Sequence, residues 1–81
     1  MKEFLEYVIA QLVDRPEDFS LRVTDHGELR QFVLELPRSE VGKVIGKQGH
    51  TINAIRSLLA AAAARHDGRV TFEIEERAGA A

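Results

Sequence analysis

Cysteine is absent from this 81-residue sequence, which excludes a disulfide framework and a thiolate-ligated metal site. The sequence also lacks an apolar run long enough to cross a membrane. The start of the chain, Met1-Lys2-Glu3-Phe4, has an acidic residue and no signal-peptide pattern, so we expect a cytoplasmic protein. A chain of this length forms one domain, which buries only about 60–65% of its unfolded surface.

Sequence patterns of common enzymes are missing as well. The segment Gly42–Lys47 resembles a phosphate-binding P-loop, but only three residues separate its glycines, where four are needed, and Gln48 replaces the required Ser or Thr. None of the three serines has a flanking nucleophile motif. The three histidines are too far apart in the sequence to suggest a metal site. We therefore expect no catalysis, no cofactor and no metal.

Charge is unevenly distributed along the chain, whose net charge is −2. Between Arg38 and Arg56 lie four cations and one anion, a net charge of +3, whereas the remainder has seven cations and twelve anions, a net charge of −5. Positive charge is therefore concentrated in the middle of the chain. The distribution of charge is more informative about an anionic partner than its sum.

The positive segment contains the motif Val44-Ile45-Gly46-Lys47-Gln48-Gly49. Two glycines allow a tight turn and a close approach of another backbone, because they have no Cβ. Lys47 places a positive charge at the tip. A helix is predicted to follow, so its free N–H groups would face the same loop. These features suit a phosphate backbone, but a plain helix–turn–helix connection that uses the glycines as caps fits the same residues.

This motif resembles the KH domain, whose Gly-X-X-Gly loop clamps about four nucleotides of single-stranded nucleic acid. The wider pattern also matches, with Val41-Gly42-Lys43 before the loop and Ile52, Ile55 and Arg56 after it. The whole chain is most similar to the small bacterial single-KH proteins of the KhpA (YlqC-type) family. The resemblance implies a non-catalytic RNA-binding protein that forms homodimers and pairs with a larger KH-containing Jag-type protein (KhpB).

Carried onto this sequence, the resemblance and the charge pattern give one set of candidate RNA-binding residues. They are Gly46, Lys47, Gln48, Gly49, Lys43, Val44, Ile45, His50, Ile52, Arg56 and Arg38. Val44, Ile45, Ile52 and Ile55 fit the core equally well; we favour the core for Ile55 and the edge of a base-binding groove for Val44 and Ile52. Arg56 fits a solvated helix position equally well.

The composition of the candidate site indicates weak binding. No aromatic residue lies in the segment, so strong base stacking is not expected. His50 stands where relatives commonly have arginine, which weakens the charge and makes it sensitive to pH. With three or four phosphate contacts, the logarithm of the binding constant should fall with that of salt concentration with a slope of about −2 to −3.

Apolar periodicity predicts the secondary structure. A first amphipathic helix ends at Pro16, and alternating residues then predict two strands joined by a turn at Asp25–Glu28. Ser39 is the expected N-cap of a short helix ending at Ile45. A long helix, His50–His66, and a third strand around Phe72 follow. The fold class is therefore α+β with the order α-β-β-α-α-β, which resembles the type II KH domain. We expect one domain over residues 1–76 and a disordered tail over 77–81.

The long helix has two apolar faces. Ile52, Ile55, Leu59 and Ala62 are predicted to pack against the sheet, while Ala54, Leu58 and Ala61 form a stripe on a neighbouring face. This small-residue stripe suits a dimer contact, although helix propensity alone explains alanine equally well.

The sequence is compatible with three functions. The leading one is an RNA chaperone or post-transcriptional regulator. The second is a dimerisation subunit whose RNA affinity comes from the Jag-type partner, which the acidic remainder of the chain and His50 favour. The third is a fragment related to a ribosome-associated KH domain.

Overall fold

Residues 1–65 and 68–77 are described by a computed structural model, and they confirm the predicted element order. The helices are α1 (Lys2–Leu12), α2 (Arg38–Ile45) and α3 (His50–Ala64), and the strands are β1 (Ser20–His26), β2 (Leu29–Pro37) and β3 (Arg69–Arg77). The expected end of the long helix at His66, and residues 78–81 of the expected tail, lie outside the described residues. Arg77 belongs to β3 rather than to a tail.

The sheet has the order β1-β2-β3, with β2 in the centre. β1 and β2 form the predicted antiparallel hairpin, in which His26 pairs with Leu29 across a two-residue loop. Gly27 has a φ of +65° there, as the first position of a type II′ turn requires. β3 pairs parallel to β2, and the connection between them contains α2 and α3, because parallel strands need a long crossover.

The core lies between one face of the sheet and the helices. Alternate residues of β2 are buried there, and Phe32 stands beside Phe72 of β3 in the parallel register. Helix α3 contributes a buried row at helical spacing: Ile52, Ile55, Leu59 and Ala63. The prediction of Ala62 in this row is corrected to Ala63, since a step of four from Leu59 keeps the row on the sheet-facing side.

Two helix boundaries differ from expectation. Helix α1 ends at Leu12 rather than at Pro16, because Val13 is already extended (φ −95°, ψ 157°) and Pro16 begins a 3₁₀ turn. Helix α2 begins at Arg38, so the N-cap position falls on Pro37 and not on Ser39. Pro37 has φ −60° and ψ 148°, so it is the last extended residue before the helix.

The sheet face opposite to the helices is polar and carries side chains of both charge signs. Arg22 of β1 pairs with Glu35 of β2 at 2.8 Å and with Glu75 of β3 at 2.9 Å. Arg77 donates to the Asp18 carbonyl and the Ser20 hydroxyl. These contacts tie the strands together. Within the described residues, no helix has the length and apolar character needed to cross a membrane.

Candidate nucleic-acid interface

The four residues Gly46–Gly49, here called the glycine loop, connect the end of α2 to the start of α3. Their backbone departs sharply from helix geometry: Gly46 has φ +77° and ψ 173°, Gln48 has φ +57°, and Gly49 has φ +77° and ψ 11°. The Lys47 and Gln48 side chains are exposed at the tip. The loop therefore presents main chain and two side chains that can donate hydrogen bonds.

The two glycines are required for different physical reasons. A Cβ on Gly46 would lie 2.2 Å from the Thr51 hydroxyl oxygen and 2.7 Å from the Thr51 Cβ, so the molecule itself fills that space. A Cβ on Gly49 would meet only the Asn53 side-chain nitrogen, at 3.7 Å. Gly46 thus serves an internal close contact, while the surface over Gly49 is open to another molecule.

The start of α3 adds a favourable electrostatic environment to the open side of the loop. Gly49 is the N-cap of this 15-residue helix, and its first turn contains no acidic side chain. N–H groups at the beginning of a helix carry partial positive charge, so an anion beside Gly49 is stabilised. His50 is the first residue of α3 and is exposed.

Lys43, a predicted RNA contact, is instead held by carboxylates of its own chain. Its ammonium group donates to Asp14 and, at 2.7 Å, to Glu40. The Glu40 carboxylate is only 5% exposed and also accepts from the backbone N–H groups of Asp14 and Arg15, at 2.9 and 3.0 Å. This Glu40 cluster (Asp14, Glu40 and Lys43) joins α2 to the segment that follows α1.

The cluster shifts the pKa of two of its members. The hydrogen bond from Lys43 lowers the pKa of the Glu40 carboxyl below its ordinary value of 4.5, and the bond to the Arg15 N–H acts in the same direction. The hydrogen bond to Asp14 raises the pKa of the Lys43 ammonium above 10.5, helped by the bond to Glu40. Both groups therefore remain charged at neutral pH, and they form an ion pair with each other.

The two arginines of the positive segment lie apart from the loop tip. Arg38 begins α2, about 12 Å along the helix from Gly46, and its Nε is 4.0 Å from Glu76. Arg56 lies two turns into α3, where its Nε and Nη2 donate to the Phe72 carbonyl at 3.2 and 3.1 Å. For Lys47, by contrast, no carboxylate of the described residues lies within ion-pair distance.

The apolar candidates are placed mainly in the core. Val44 is fully buried and Ile52 is 8% exposed, so the structure assigns both to the core rather than to a groove edge. Ile55 is buried as well, which is the alternative we favoured for it. Ile45 is half-buried and packs against the core. Little of these side chains is available to the face of a base.

A groove that does face outward lies between α3 and the outer edge of β3. This α3–β3 groove has a volume of about 270 Å³ and is lined by Arg56, Leu59, Ala60 and residues 70–73. Another cleft, of about 340 Å³, lies at the hairpin end and is lined by Gly27, Ala63 and groups of both charge signs. That cleft is at the far end of α3 from the glycine loop, so the groove is the better continuation of the loop surface.

The predicted dimer stripe on α3 is exposed. Ala54, Leu58 and Ala61 all face outward, and the Leu58 residue is 58% exposed. Leu58 adjoins Phe4 of α1, which is itself 54% exposed. The stripe is therefore part of a wider apolar surface that includes an aromatic residue, which the helical spacing of α3 alone did not indicate.

Known proteins similar to this chain match it over most of both lengths. The family model of the KhpA/KhpB KH domain matches residues 2–74. The chain belongs to the KhpA/KhpB KH-domain family. It is 45% identical over 76 residues to the RNA-binding protein KhpA of Chlamydia pneumoniae, a match that covers 94% of this chain and 97% of that relative. The RNA-binding protein KhpA of Halalkalibacterium halodurans is 39% identical over 74 residues, 91% of this chain and 97% of that relative.

Membership of the KhpA/KhpB family agrees with the observed fold, a single α+β domain of the type II KH kind. Three residues near the loop of this KhpA/KhpB domain were missed by sequence reasoning: Thr51, Asn53 and Glu40. Only Glu40 had a signal in the sequence, because it precedes Lys43 by one helical turn. Among the described residues, no group of three or more His, Cys, Asp or Glu side chains is arranged to hold a metal ion.

Proposed function

We propose that this chain binds single-stranded RNA through the main chain of the glycine loop and the side chain of Lys47, and that it acts without catalysis as an RNA chaperone or post-transcriptional regulator. The observation that carries the proposal is the open surface over Gly49 beside a lysine with no internal partner among the described residues. The curated relatives are named RNA-binding proteins, which supports the same conclusion.

A bound strand would place a phosphate over Gly49, near Lys47 and the first N–H groups of α3. The adjoining nucleotides would then extend along α3 toward the α3–β3 groove. Only Lys47 and Arg56 among the expected cations lie on this path, since Lys43 is neutralised and Arg38 is at the other end of α2. We therefore expect the logarithm of the binding constant to fall with that of the salt concentration with a slope of about −1 to −2, because each single-stranded phosphate contact contributes about −0.7.

The direct test is fluorescence anisotropy with an unstructured, labelled RNA of about eight nucleotides, twice the length that a KH loop clamps. Lys47→Glu should weaken binding about tenfold, the equivalent of one charge-assisted hydrogen bond. Gly49→Asp should weaken it as well, because it places a carboxylate on the open surface. Gly46→Asp is a poor probe, since its side chain would collide with Thr51.

Lys2→Glu is the matched control for the charge reversal. Lys2 begins α1, next to Met1, which lines the cleft at the hairpin end together with Ala63. The same change in net charge is thus made at the far end of α3 from the loop. Equal weakening of RNA binding by Lys47→Glu and Lys2→Glu would mean that net charge alone explains the effect, and it would contradict a localised RNA site.

A second candidate function is a dimerisation subunit, and the exposed apolar surface around Leu58 favours it. We expect a homodimer in which Ala54, Leu58 and Ala61 pack against a second copy, since small residues allow close helix approach. RNA affinity would then come from a larger KH-containing Jag-type (KhpB) partner. Retention of RNA binding by Lys47→Glu and Gly49→Asp would favour this candidate over direct binding.

The oligomeric state can be measured by light scattering after size-exclusion chromatography. Ala61→Arg should convert a dimer to a monomer, because it introduces a charge at the centre of the packed surface. Thr24→Arg, on the exposed side of β1, is the control and should leave the mass unchanged. A mass distribution that Ala61→Arg does not alter would remove the α3 stripe as an interface.

A further inference from the structure

The side chain of Asp14 accepts a hydrogen bond from Lys43 at the outer edge of the Glu40 cluster. This side chain is 76% exposed, whereas Glu40 is nearly buried. The main chain holds the segment around Asp14 in place, because the N–H groups of Asp14 and Arg15 donate to the Glu40 carboxylate at 2.9 and 3.0 Å. Loss of the Asp14 charge should therefore leave the backbone of this segment where it is.

The Glu40 cluster contains one carboxylate more than an ion pair with Lys43 needs. The Glu40 carboxylate already accepts from the Lys43 ammonium group at 2.7 Å, and these two charges cancel. Asp14 adds a second negative charge, which gives the cluster a net charge of −1. The hydrogen bond to Asp14 is also the largest cause of the raised pKa of Lys43. An anion that approaches Lys43 therefore meets a net negative charge.

Lys43 lies close to the glycine loop. It precedes Gly46 by three residues, about 4.5 Å along α2, and its flexible side chain is 38% exposed. An ammonium group has three N–H donors, of which Asp14 and Glu40 occupy two. A strand that crosses the glycine loop thus passes a lysine with a spare donor, whose positive charge is outweighed by the carboxylates of its own chain.

We infer that the contact between Asp14 and Lys43 is autoinhibitory, because it keeps Lys43 from adding a phosphate contact to a strand that the glycine loop holds. Without the Asp14 carboxylate, Lys43 pairs with Glu40 alone, and two of its N–H donors are available to a phosphate. An exposed acidic side chain that itself contacts no RNA thus limits the affinity. This inference rests on the proposed function, because the glycine loop must first hold the RNA.

Asp14→Asn tests the inference, since it removes the carboxylate and keeps the size of the side chain. With the labelled RNA of about eight nucleotides, this variant should bind about two- to fivefold more tightly than the wild type, the range of one exposed ion pair. Its salt slope should be steeper by about 0.7, which is one single-stranded phosphate contact. Glu17→Gln is the matched control, because it removes the same charge from an exposed position three residues further along the chain. It should leave the salt slope unchanged.

The double variant Asp14→Asn/Lys43→Gln has the net charge of the wild type and should return to the wild-type affinity and salt slope. Thermal melting of every variant identifies a temperature at which all of them are folded. Unchanged binding by Asp14→Asn, an equally steep slope in Glu17→Gln, or a gain in affinity that survives in the double variant overturns the inference while leaving the proposed function intact. Failure of both the wild type and Asp14→Asn to bind RNA overturns both.

Discussion

Lys43 and Lys47 lie one helical turn apart in the sequence and have opposite roles in the structure. Lys43 forms ion pairs with Asp14 and with the nearly buried Glu40, and these pairs hold α2 to the segment after α1. Lys47 is exposed on the glycine loop, and no described carboxylate lies within ion-pair distance of it. A lysine in a positive segment is thus a candidate ligand contact only when its own chain does not neutralise it.

The same contrast applies to the two glycines of the loop. Gly46 faces inward, where Thr51 occupies the space of a side chain, and Gly49 faces outward, where that space is nearly empty. Lys43 and Gly46, which make contacts within the chain, therefore precede the outward-facing Lys47 and Gly49 by four and three positions. Substitutions at the two sets should separate stability from RNA binding.

The largest effect on stability is expected for Gly46→Ala. Its backbone (φ +77°, ψ 173°) lies in a region that only glycine adopts readily, at about 1–3 kcal/mol for another residue. The new methyl group would also overlap the Thr51 side chain, which adds about 1–3 kcal/mol. Chemical denaturation monitored by circular dichroism should show a loss of about 3 kcal/mol or more.

Gly49→Ala is the paired variant for that measurement. It has similar φ but open space around the new methyl group, so only left-handed strain of about 1–2 kcal/mol applies. Combining Gly46→Ala with Thr51→Ala, which removes the hydroxyl, should recover part of the lost stability. Equal losses for the two single glycine variants would show that contact with Thr51 is not what distinguishes them.

A smaller loss is expected on disrupting the Glu40 cluster. Glu40→Gln removes the charge that accepts from Lys43 and two backbone N–H groups, so the Tm should fall by several degrees. The lowered pKa of Glu40 means that its stabilisation is present above its ordinary pKa of 4.5 and is lost as the pH falls through the lower folded-state value. The raised pKa of Lys43 acts at the other extreme, since its contribution disappears as the pH rises past 10.5.

Thermal melts of the wild type and of Glu40→Gln across the acid range test whether the Glu40 carboxylate causes this dependence of stability on pH. The difference in Tm should shrink as the pH falls below 4.5, because the wild-type carboxyl becomes protonated there.

RNA binding at neutral pH should keep the wild-type salt slope in Lys43→Gln, provided that the folded protein is measured. A reduced slope in that variant would place Lys43 among the phosphate contacts after all.

The sequence predicted the elements well because the apolar periodicity of the core is strong. β2 alternates over its length, and α3 repeats buried residues at helical spacing, so neither element needs tertiary contacts to be recognised. The helix ends were less predictable. The extended backbone of Val13 and the position of Pro37 outweighed the expected effects of Pro16 and Ser39.

The candidate site was predictable at the loop and less so around it. The glycine spacing identified the turn, but charge density along the sequence could not show that Asp14, from another segment, neutralises Lys43. The sequence also could not show that Thr51 fills the space beside Gly46, or that Arg56 turns toward Phe72. Each depends on a contact between residues whose relative placement only the folded backbone defines.

The smallest effect in the loop is expected at Gln48, between the inward and outward glycines. Gln48 has φ +57° and ψ 22°, a left-handed conformation that disfavours an ordinary side chain by roughly 1–2 kcal/mol. Gln48→Gly removes this strain but adds backbone entropy to the unfolded chain, an opposing term of roughly 0.5–1 kcal/mol. The net change in unfolding free energy should therefore be within about 1 kcal/mol of zero. Gln48→Val is the contrast, since a β-branched residue is strained most at positive φ and should lower stability. If glycine and valine had the same effect here, the loop would take up another backbone shape in solution, and the separate roles of Gly46 and Gly49 would no longer follow from their φ angles.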